Sequence, residues 1–227
     1  MPLRFNRTFR RLMARKFRAA LLDLDGVIVN TAKYHYLAWK SLAHELGFDF
    51  TEKDNERLKG VSRMRSLEIL LEIGGLAMDD AAKARLAAQK NEEYVKSVRK
   101  MDESEILPGA KEFLLAVKAK GVKIGLGSAS KNTSLIIKNL KIEDLFDAVI
   151  DGYKAEKAKP DPQVFLLGAH ELGFPPGDCV VFEDAEAGIQ AAKAAGMFAV
   201  GIGRPEVLSA ADRVVPGLHA LDVNELF

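Results

Sequence analysis

Apolar residues cluster in two different periods along the chain. Residues 19–24 (AALLDL) form an apolar run broken only by Asp23 and closed by Gly26, the pattern of a short buried strand. From residue 32 to about residue 101 the spacing becomes helical. Trp39, Leu42 and Leu46 fall on one face, Leu67, Leu70 and Leu71 on another, and an Ala-rich stretch follows over residues 79–100. Gly47, Gly60, Gly74 and Gly75 punctuate these segments as C-terminal stops. The result is an all-helical block of the size of a small bundle.

After Pro108, which marks a helix start, the pattern alternates. A helix runs to residue 120, then a strand over 122–128 (VKIGLGS), a helix from 131, and a strand over 146–152 (FDAVIDG). A helix from 162, a strand over 179–184 (CVVFED), a helix over 185–196 (AEAGIQAAKAAG) and a strand over 197–203 (MFAVGIG) complete it. Such alternation predicts an α/β fold, a Rossmann-like parallel sheet with helices on both faces. The first strand has no partner inside the helical block, so it must rejoin the later strands. That makes the block an inserted all-helical cap, residues 33–102, on a core of residues 19–32 and 103–227.

Composition narrows the partners. The 33 basic and 32 acidic side chains of this 227-residue chain nearly cancel, which argues against nucleic acid or an acidic polymer and for a small-molecule ligand. Cys179, the single cysteine, excludes an intrachain disulfide and fits a reducing, cytoplasmic setting; its apolar context reads as a small buried hydrophobe. No apolar stretch approaches the roughly 20 residues of a membrane span. A monomer is expected. Residues 1–18 stand apart, with seven Arg or Lys and no acid. A transit peptide and a membrane-surface helix are alternatives to the reading adopted, a leader without a role of its own.

In open parallel sheets ligands bind beyond the carboxyl ends of the strands. There the sequence places Asp23 and Asp25, Ser128, Lys159, and Glu183 with Asp184. Carboxylates gathered at one edge repel unless a cation balances them, and an all-oxygen set suits Mg²⁺ sharing its site with a phosphate. By residue type, Asp23 can attack phosphorus and Asp25 can move a proton. Ser128 can hydrogen-bond phosphoryl oxygens at a helix start, and Lys159 can neutralise charge. Each feature alone has a plainer reading: acids at strand ends also form turns and caps, Ser130 also reads as an N-cap, and Lys131 as a solvated charge.

The motifs DLDGV (23–27), SAS (128–130), KPDP (159–162) and EDAEAG (183–188), in this order, resemble the haloacid dehalogenase superfamily, and the insert resembles its C1-type helical cap. The resemblance implies Asp23 as nucleophile, Asp25 as general acid/base, and Ser128 and Lys159 as phosphoryl ligands. It also implies Mg²⁺ held by Glu183, Asp184, a side-chain oxygen of Asp23 and the backbone carbonyl of Asp25.

Further segments, NTAKYHYLAWK (30–40), LKGVSR (58–63), KNEEYV (90–95), SASKN (128–132) and GIGRPE (201–206), resemble the sugar-phosphate mutases of that superfamily. They imply conversion of β-D-glucose 1-phosphate to glucose 6-phosphate through an aspartyl phosphate and β-glucose 1,6-bisphosphate. Thr31, His35, Gly60, Val61, Ser62, Ser66 and Lys90 then lie near the sugar. Arg63, with Ser130, Lys131 and Asn132 across from it on the core, then forms a second phosphate site, and Ser128 and Ala129 also lie against the substrate. For His35 a satisfied interdomain histidine is the plainer reading, and for Trp39 core packing. Hinges are expected near residues 30–33 and 102–108. Departures from the family pattern are Leu22, Asn30 and Ala185. A Mg²⁺-dependent sugar-phosphate phosphatase and a non-catalytic sugar-phosphate-binding module are the alternatives.

Overall fold

In the computed structural model, which describes residues 17–58 and 61–227, strand and helix alternate as the pattern predicts. The chain order is β1 (Ala19–Leu22), α1 (Ala32–Glu45), α2 (Glu52–Glu56), α3 (Arg63–Ile73), α4 (Asp80–Val98), α5 (Ala110–Ala119), β2 (Lys123–Gly127), α6 (Thr133–Asn139), β3 (Ala148–Ile150), α7 (Gln163–Leu172), β4 (Cys179–Glu183), α8 (Glu186–Ala194), β5 (Phe198–Ile202) and β6 (Arg213–Val215). The strands form one parallel sheet in the order β3-β2-β1-β4-β5-β6. β1 sits inside it, with Leu21 opposite Gly125 on one side and Val181 on the other.

The sheet is buried on both faces, and the period-2 alternation sorts side chains between two apolar layers. Ala20, Leu22, Leu126 and Phe182 pack with Phe113 and Leu114 of α5 and Ile136 of α6. Leu21, Ile150 and Val181 pack with Phe165 of α7 and Ile189 of α8. Leu21 and Leu22 are fully buried on opposite faces, each contributing roughly 1.5–3 kcal/mol of transfer free energy. The strand that leads into Asp23 is thereby anchored from both sides.

Helices α1 to α4 build a separate core in the cap, where Trp39 and Leu42 meet Leu67, Leu70 and Ala87. Their starts carry local signals: Thr51 and Asp54 form a capping box, and the Ser62 and Asp79 side chains accept from Arg65 N–H and Ala82 N–H, contacts worth about 1 kcal/mol each. The two linkers between cap and core run side by side. Leu107 N–H donates to Ile28 O at 2.9 Å, Val29 bridges Ile106, and the Glu105 carboxylate accepts from Lys33 Nζ and Tyr34 Oη at 2.9 and 2.6 Å.

Several boundaries differ from expectation. β1 stops at Leu22, because the chain turns tightly after Leu24, whose carbonyl accepts from both Ile28 and Val29 N–H. α5 begins at Ala110, with Gly109 at φ +77° making the turn that Pro108 introduces. α6 begins at Thr133 rather than 131, since serine side chains hold the preceding loop. β6 was not anticipated: it is three residues long and Pro216 follows. Of the expected leader, residues 1–16 lie outside the described residues, while Phe17 and Arg18 belong to the core. Phe17 is buried against Phe198, and its N–H donates to Leu226 O. Among the described residues no helix is long and apolar enough to cross a membrane.

Candidate active site

The carboxyl ends of β1, β2 and β4 bring Asp23, Ser128, Glu183 and Asp184 to one edge of the sheet, and the loop from β3 to α7 delivers Lys159 among them. Lys159 Nζ donates to Asp23 Oδ1, to Glu183 Oε2 at 2.8 Å and to Gly127 O at 3.1 Å, so all three of its protons are used. Its side chain is 1% exposed. Burial alone would lower its pKa, but the charges of Asp23 and Glu183 and their hydrogen bonds push it well above the ordinary lysine value.

Two of the acids are raised as well, with burial as the leading cause. Burial first, then the Asp23 charge, raises Asp25 to about 7, against the opposing hydrogen bond from the Thr31 hydroxyl. Burial raises Glu183 to about 7 as well, with Lys159 pulling it down and Asp23 pushing it up. Asp23, Glu183 and Asp184 each offer a carboxylate oxygen, and these atoms lie within 4.8 Å of one another. An all-oxygen donor set of that compactness fits a hard divalent cation. Two glycines make room for it. Gly26, at φ +84°, lies where a Cβ would overlap the Asp184 carboxylate, and a Cβ at Gly188 would overlap that of Glu183. The Asp25 carboxylate is not one of the three; it is turned to Thr31. At the position where Ala185 departs from the family pattern, its backbone N–H donates to Glu183 Oε1 at 3.1 Å, so no side chain is needed there.

A cavity of ≈ 720 Å³ separates this edge from the cap. Asp23, Asp25, Lys159, Glu183 and Asp184 line its floor, while Thr31, His35, Val61, Ser62, Arg63, Ser66 and Lys90 line the opposite side, and Ala129, Ser130, Lys131 and Asn132 line it from the core. Ser128 is buried and is not itself among the lining residues, though its neighbour Ala129 is. Gly60 falls outside the described residues. Between Ser128 and α6, where a helix was expected from 131, lies a serine-held loop: Ser128 Oγ accepts from Ser130 N–H, and Ser130 Oγ from Asn132 N–H, both at 3.1 Å. Asn132, not Ser130, holds the N-cap position of α6.

On the cap side, His35 pairs within its own domain. Its Nδ1 is 2.8 Å from Lys90 Nζ, and its ring stacks on Tyr94 at 4.1 Å. Burial, then the Lys90 and Arg63 charges, hold its pKa well below the ordinary value, which favours the neutral ring. Trp39 packs in the cap core and also meets the cavity, where Lys90 Nζ lies 4.6 Å from its ring centroid. Arg63 is half-buried, and burial lowers its pKa; among the described residues no ion pair engages it.

Some contributors escaped the sequence reading. Asn91 accepts from Asn132 Nδ2 at 2.9 Å, bridging α4 to the core; its place in KNEEYV beside Lys90 was the available signal. Tyr153, exposed at the cavity mouth, stacks under Lys131 Nζ at 5.2 Å, and nothing in the pattern of residues 146–159 distinguished it.

Lys90 carries a testable pH dependence. Burial first, then Arg63, lowers its pKa from 10.5 to about 7. Between those values the unfolded chain binds the proton and the folded one does not, so this group's contribution to stability rises with pH across that window. The Lys90→Met variant is therefore expected to gain most over the unsubstituted protein below about pH 7. The gain should shrink toward pH 10.5, as urea melts across pH would show. A constant difference would rule out this titration.

A compact acid centre locked by one lysine at a sheet edge and roofed by a helical insert is the architecture of the haloacid dehalogenase-like hydrolases. The chain belongs to that family, whose model matches residues 17–196, and is an enzyme of it. Within the family, the similarity narrows. The chain is 45% identical over 200 residues to β-phosphoglucomutase of Bacillus subtilis (strain 168), covering 87% of this chain and 88% of that protein. A 44% identical β-phosphoglucomutase crystal structure from Clostridium difficile aligns with a TM-score of 0.87, over 91% of this chain and 93% of that one. The fructose-1-phosphate phosphatase YqaB of Escherichia coli (strain K12) is more distant, 32% identical over 192 residues, which are 84% of this chain and 98% of that protein.

Proposed function

We propose that the protein interconverts β-D-glucose 1-phosphate and glucose 6-phosphate through an aspartyl-phosphate enzyme and β-glucose 1,6-bisphosphate. The observation that carries this reading is one cavity lined both by the Asp23 centre and by Arg63, a guanidinium without an ion pair among the described residues, with Lys131 and Asn132 beside it. A phosphatase acting on a monophosphate needs one phosphate site; a mutase working through a bisphosphate needs two. Likeness to mutases over the cap as well as the core supports the same conclusion.

The steps follow from the chain's own groups. Asp23 carries the phosphoryl group, and the sugar 6-hydroxyl of β-glucose 1-phosphate attacks it as Asp25 takes the hydroxyl proton. A carboxyl held near neutrality suits that duty. The bisphosphate turns end for end, Arg63 and Lys131 grip the newly distal phosphate, and Asp23 attacks the 1-phosphoryl group while Asp25 returns the proton to the departing 1-oxygen as the phosphoryl bond breaks. Lys159 balances the Asp23 charge throughout, and Ser128 donates to phosphoryl oxygens. Asp23, Glu183, Asp184 and the Asp25 backbone carbonyl would hold Mg²⁺, which supplies neutralisation of charge on the transferring phosphoryl group. The cap, moving on the paired linkers, excludes water as the competing acceptor. Cys179, buried on β4, supports a reducing, cytoplasmic setting.

Incubation with β-glucose 1-phosphate, Mg²⁺ and a trace of β-glucose 1,6-bisphosphate is expected to yield glucose 6-phosphate. Release of inorganic phosphate in its place would overturn the mutase reading in favour of a phosphatase.

A further inference from the structure

The core fixes the backbone at Asn132 but not its side-chain amide. Asn132 N–H donates to Ser130 Oγ at 3.1 Å, and the Ser130 carbonyl accepts from Thr133 Oγ1 at 2.8 Å and from Gly152 N–H at 3.1 Å. A Cβ at Gly152 would come within 2.5 Å of Ala129 O, so the chain leaving β3 packs flush against this loop. The half-buried carboxamide of Asn132 makes one hydrogen bond among the described residues, from its Nδ2 to Asn91 Oδ1 at 2.9 Å. Asn91 belongs to α4, on the cap, and both residues line the cavity together with Arg63 and Lys131.

A carboxamide is nearly symmetric in shape but opposite in polarity at its two ends: the amino group donates two protons, and the oxygen repels an anion. Rotation about one soft bond exchanges the ends. Arg63 and Lys131 present donors in every orientation, whereas Asn132 helps a phosphate only when its amino group is turned to it. Among the described residues the core supplies no partner that makes this choice. The Asn91 oxygen makes it, because it takes one amino proton and leaves the other for a phosphate oxygen. The seating of α4 on the core does not depend on this one bond, since Asn139 Nδ2 donates to Val98 O at 2.9 Å farther along the same contact.

We propose that Asn91 is a positioning residue for the distal phosphate, acting through Asn132. It orders that amide as a donor before the sugar phosphate arrives, and ordering a ligand group in advance lowers the cost of binding. The cap thereby serves the distal phosphate twice, directly with Arg63 and through a core residue with Asn91. The inference rests on the two-phosphate reading given above.

Asn91→Leu removes the acceptor and nearly keeps the volume. In an Asp23→Asn background with Mg²⁺, the Kd for β-glucose 1,6-bisphosphate measured by calorimetry is expected to rise about tenfold, the scale of one hydrogen bond to a charged group. When Asn132→Ala is already present, Asn91→Leu should have no further effect on that Kd. With Asp23 intact, KM for β-glucose 1-phosphate should rise about tenfold while kcat stays within about twofold, the mark of a grip equally strong in ground and transition states. An unchanged Kd would overturn the proposal. So would an equal loss in the Asn132→Ala background, which would make Asn91 a direct ligand or a packing residue. Products are measured on the unsubstituted protein. Release of inorganic phosphate alone would overturn the mutase reading, whereas the Kd cycle involves no turnover and decides the role of Asn91 by itself. An Asp23→Asn protein that does not bind the bisphosphate would overturn both.

Discussion

Asp23→Asn is expected to lose turnover by roughly 10⁴- to 10⁶-fold, the scale on which removal of a covalent nucleophile acts, while the fold persists. The amide keeps the shape of the carboxylate but not its negative charge, and its oxygen is a far weaker nucleophile. The surroundings tolerate the change because Lys159 retains Glu183 and the Gly127 carbonyl as acceptors. Loss of the Asp23 charge also removes one of the influences that raise Glu183, so the remaining ion pair is simpler than before. Two measurements check this. Steady-state assay gives the loss, and intact-mass spectrometry after exposure to β-glucose 1,6-bisphosphate should show a phosphoryl adduct on the unsubstituted protein only. Turnover within tenfold of normal, or an adduct on the variant, would remove Asp23 from the nucleophile's role.

The parts of the fold legible in sequence are those where burial dictates residue type. β1, β2, β4 and β5 are covered on both faces, so each reads as an apolar run, and the cap helices show a face because Trp39, Leu42, Leu67 and Leu70 must meet. β6 is short and lies at the sheet edge, where little burial selects its residues. The loop at 128–132 looked like the start of a helix because serine and asparagine serve equally in caps and in turns; only the bonds from Ser130 and Asn132 N–H to the two serine oxygens decide between them. The site was legible as residue types at strand ends, but not as contacts. Lys159 meets Asp23 across 136 positions of chain, a pairing created by strand order alone. His35 and Lys90 were both marked by motif, yet their mutual bond and the neutral state of the imidazole depend on burial that no local pattern reports. Tyr94 lies inside the KNEEYV motif, but its stacking on His35 exists only because α4 packs against α1.

Lys159→Met separates the two tasks assigned to the lysine. Methionine fills a similar volume but leaves Asp23 and Glu183 without their shared cation in a site from which water is nearly excluded. Breaking a buried pair from one side costs about 3–5 kcal/mol, and a loss of that order is expected in urea unfolding near neutral pH without added metal. The pH dependence has a definite sign. Glu183 is already raised from 4.5 to about 7 with the lysine present, so the folded state binds protons that the unfolded state does not. Stability then falls as pH rises through that window. Without the lysine the carboxylate is pushed further in the same direction, so the deficit of the variant should narrow on acidification from alkaline pH down to about 7 and stay level from there to 4.5, where both folded proteins hold the proton. Millimolar Mg²⁺ should restore more stability to the variant than to the unsubstituted protein, because the cluster has then lost the cation that Asp23 and Glu183 share. Turnover should nevertheless stay low by about 10²- to 10³-fold, the range for removing one fixed charge from a phosphoryl or oxyanion site. Equal stability of the two proteins near pH 7.5 without metal would mean that the carboxylates are discharged by protonation in the resting enzyme. In that case Lys159 would not be the group that balances Asp23.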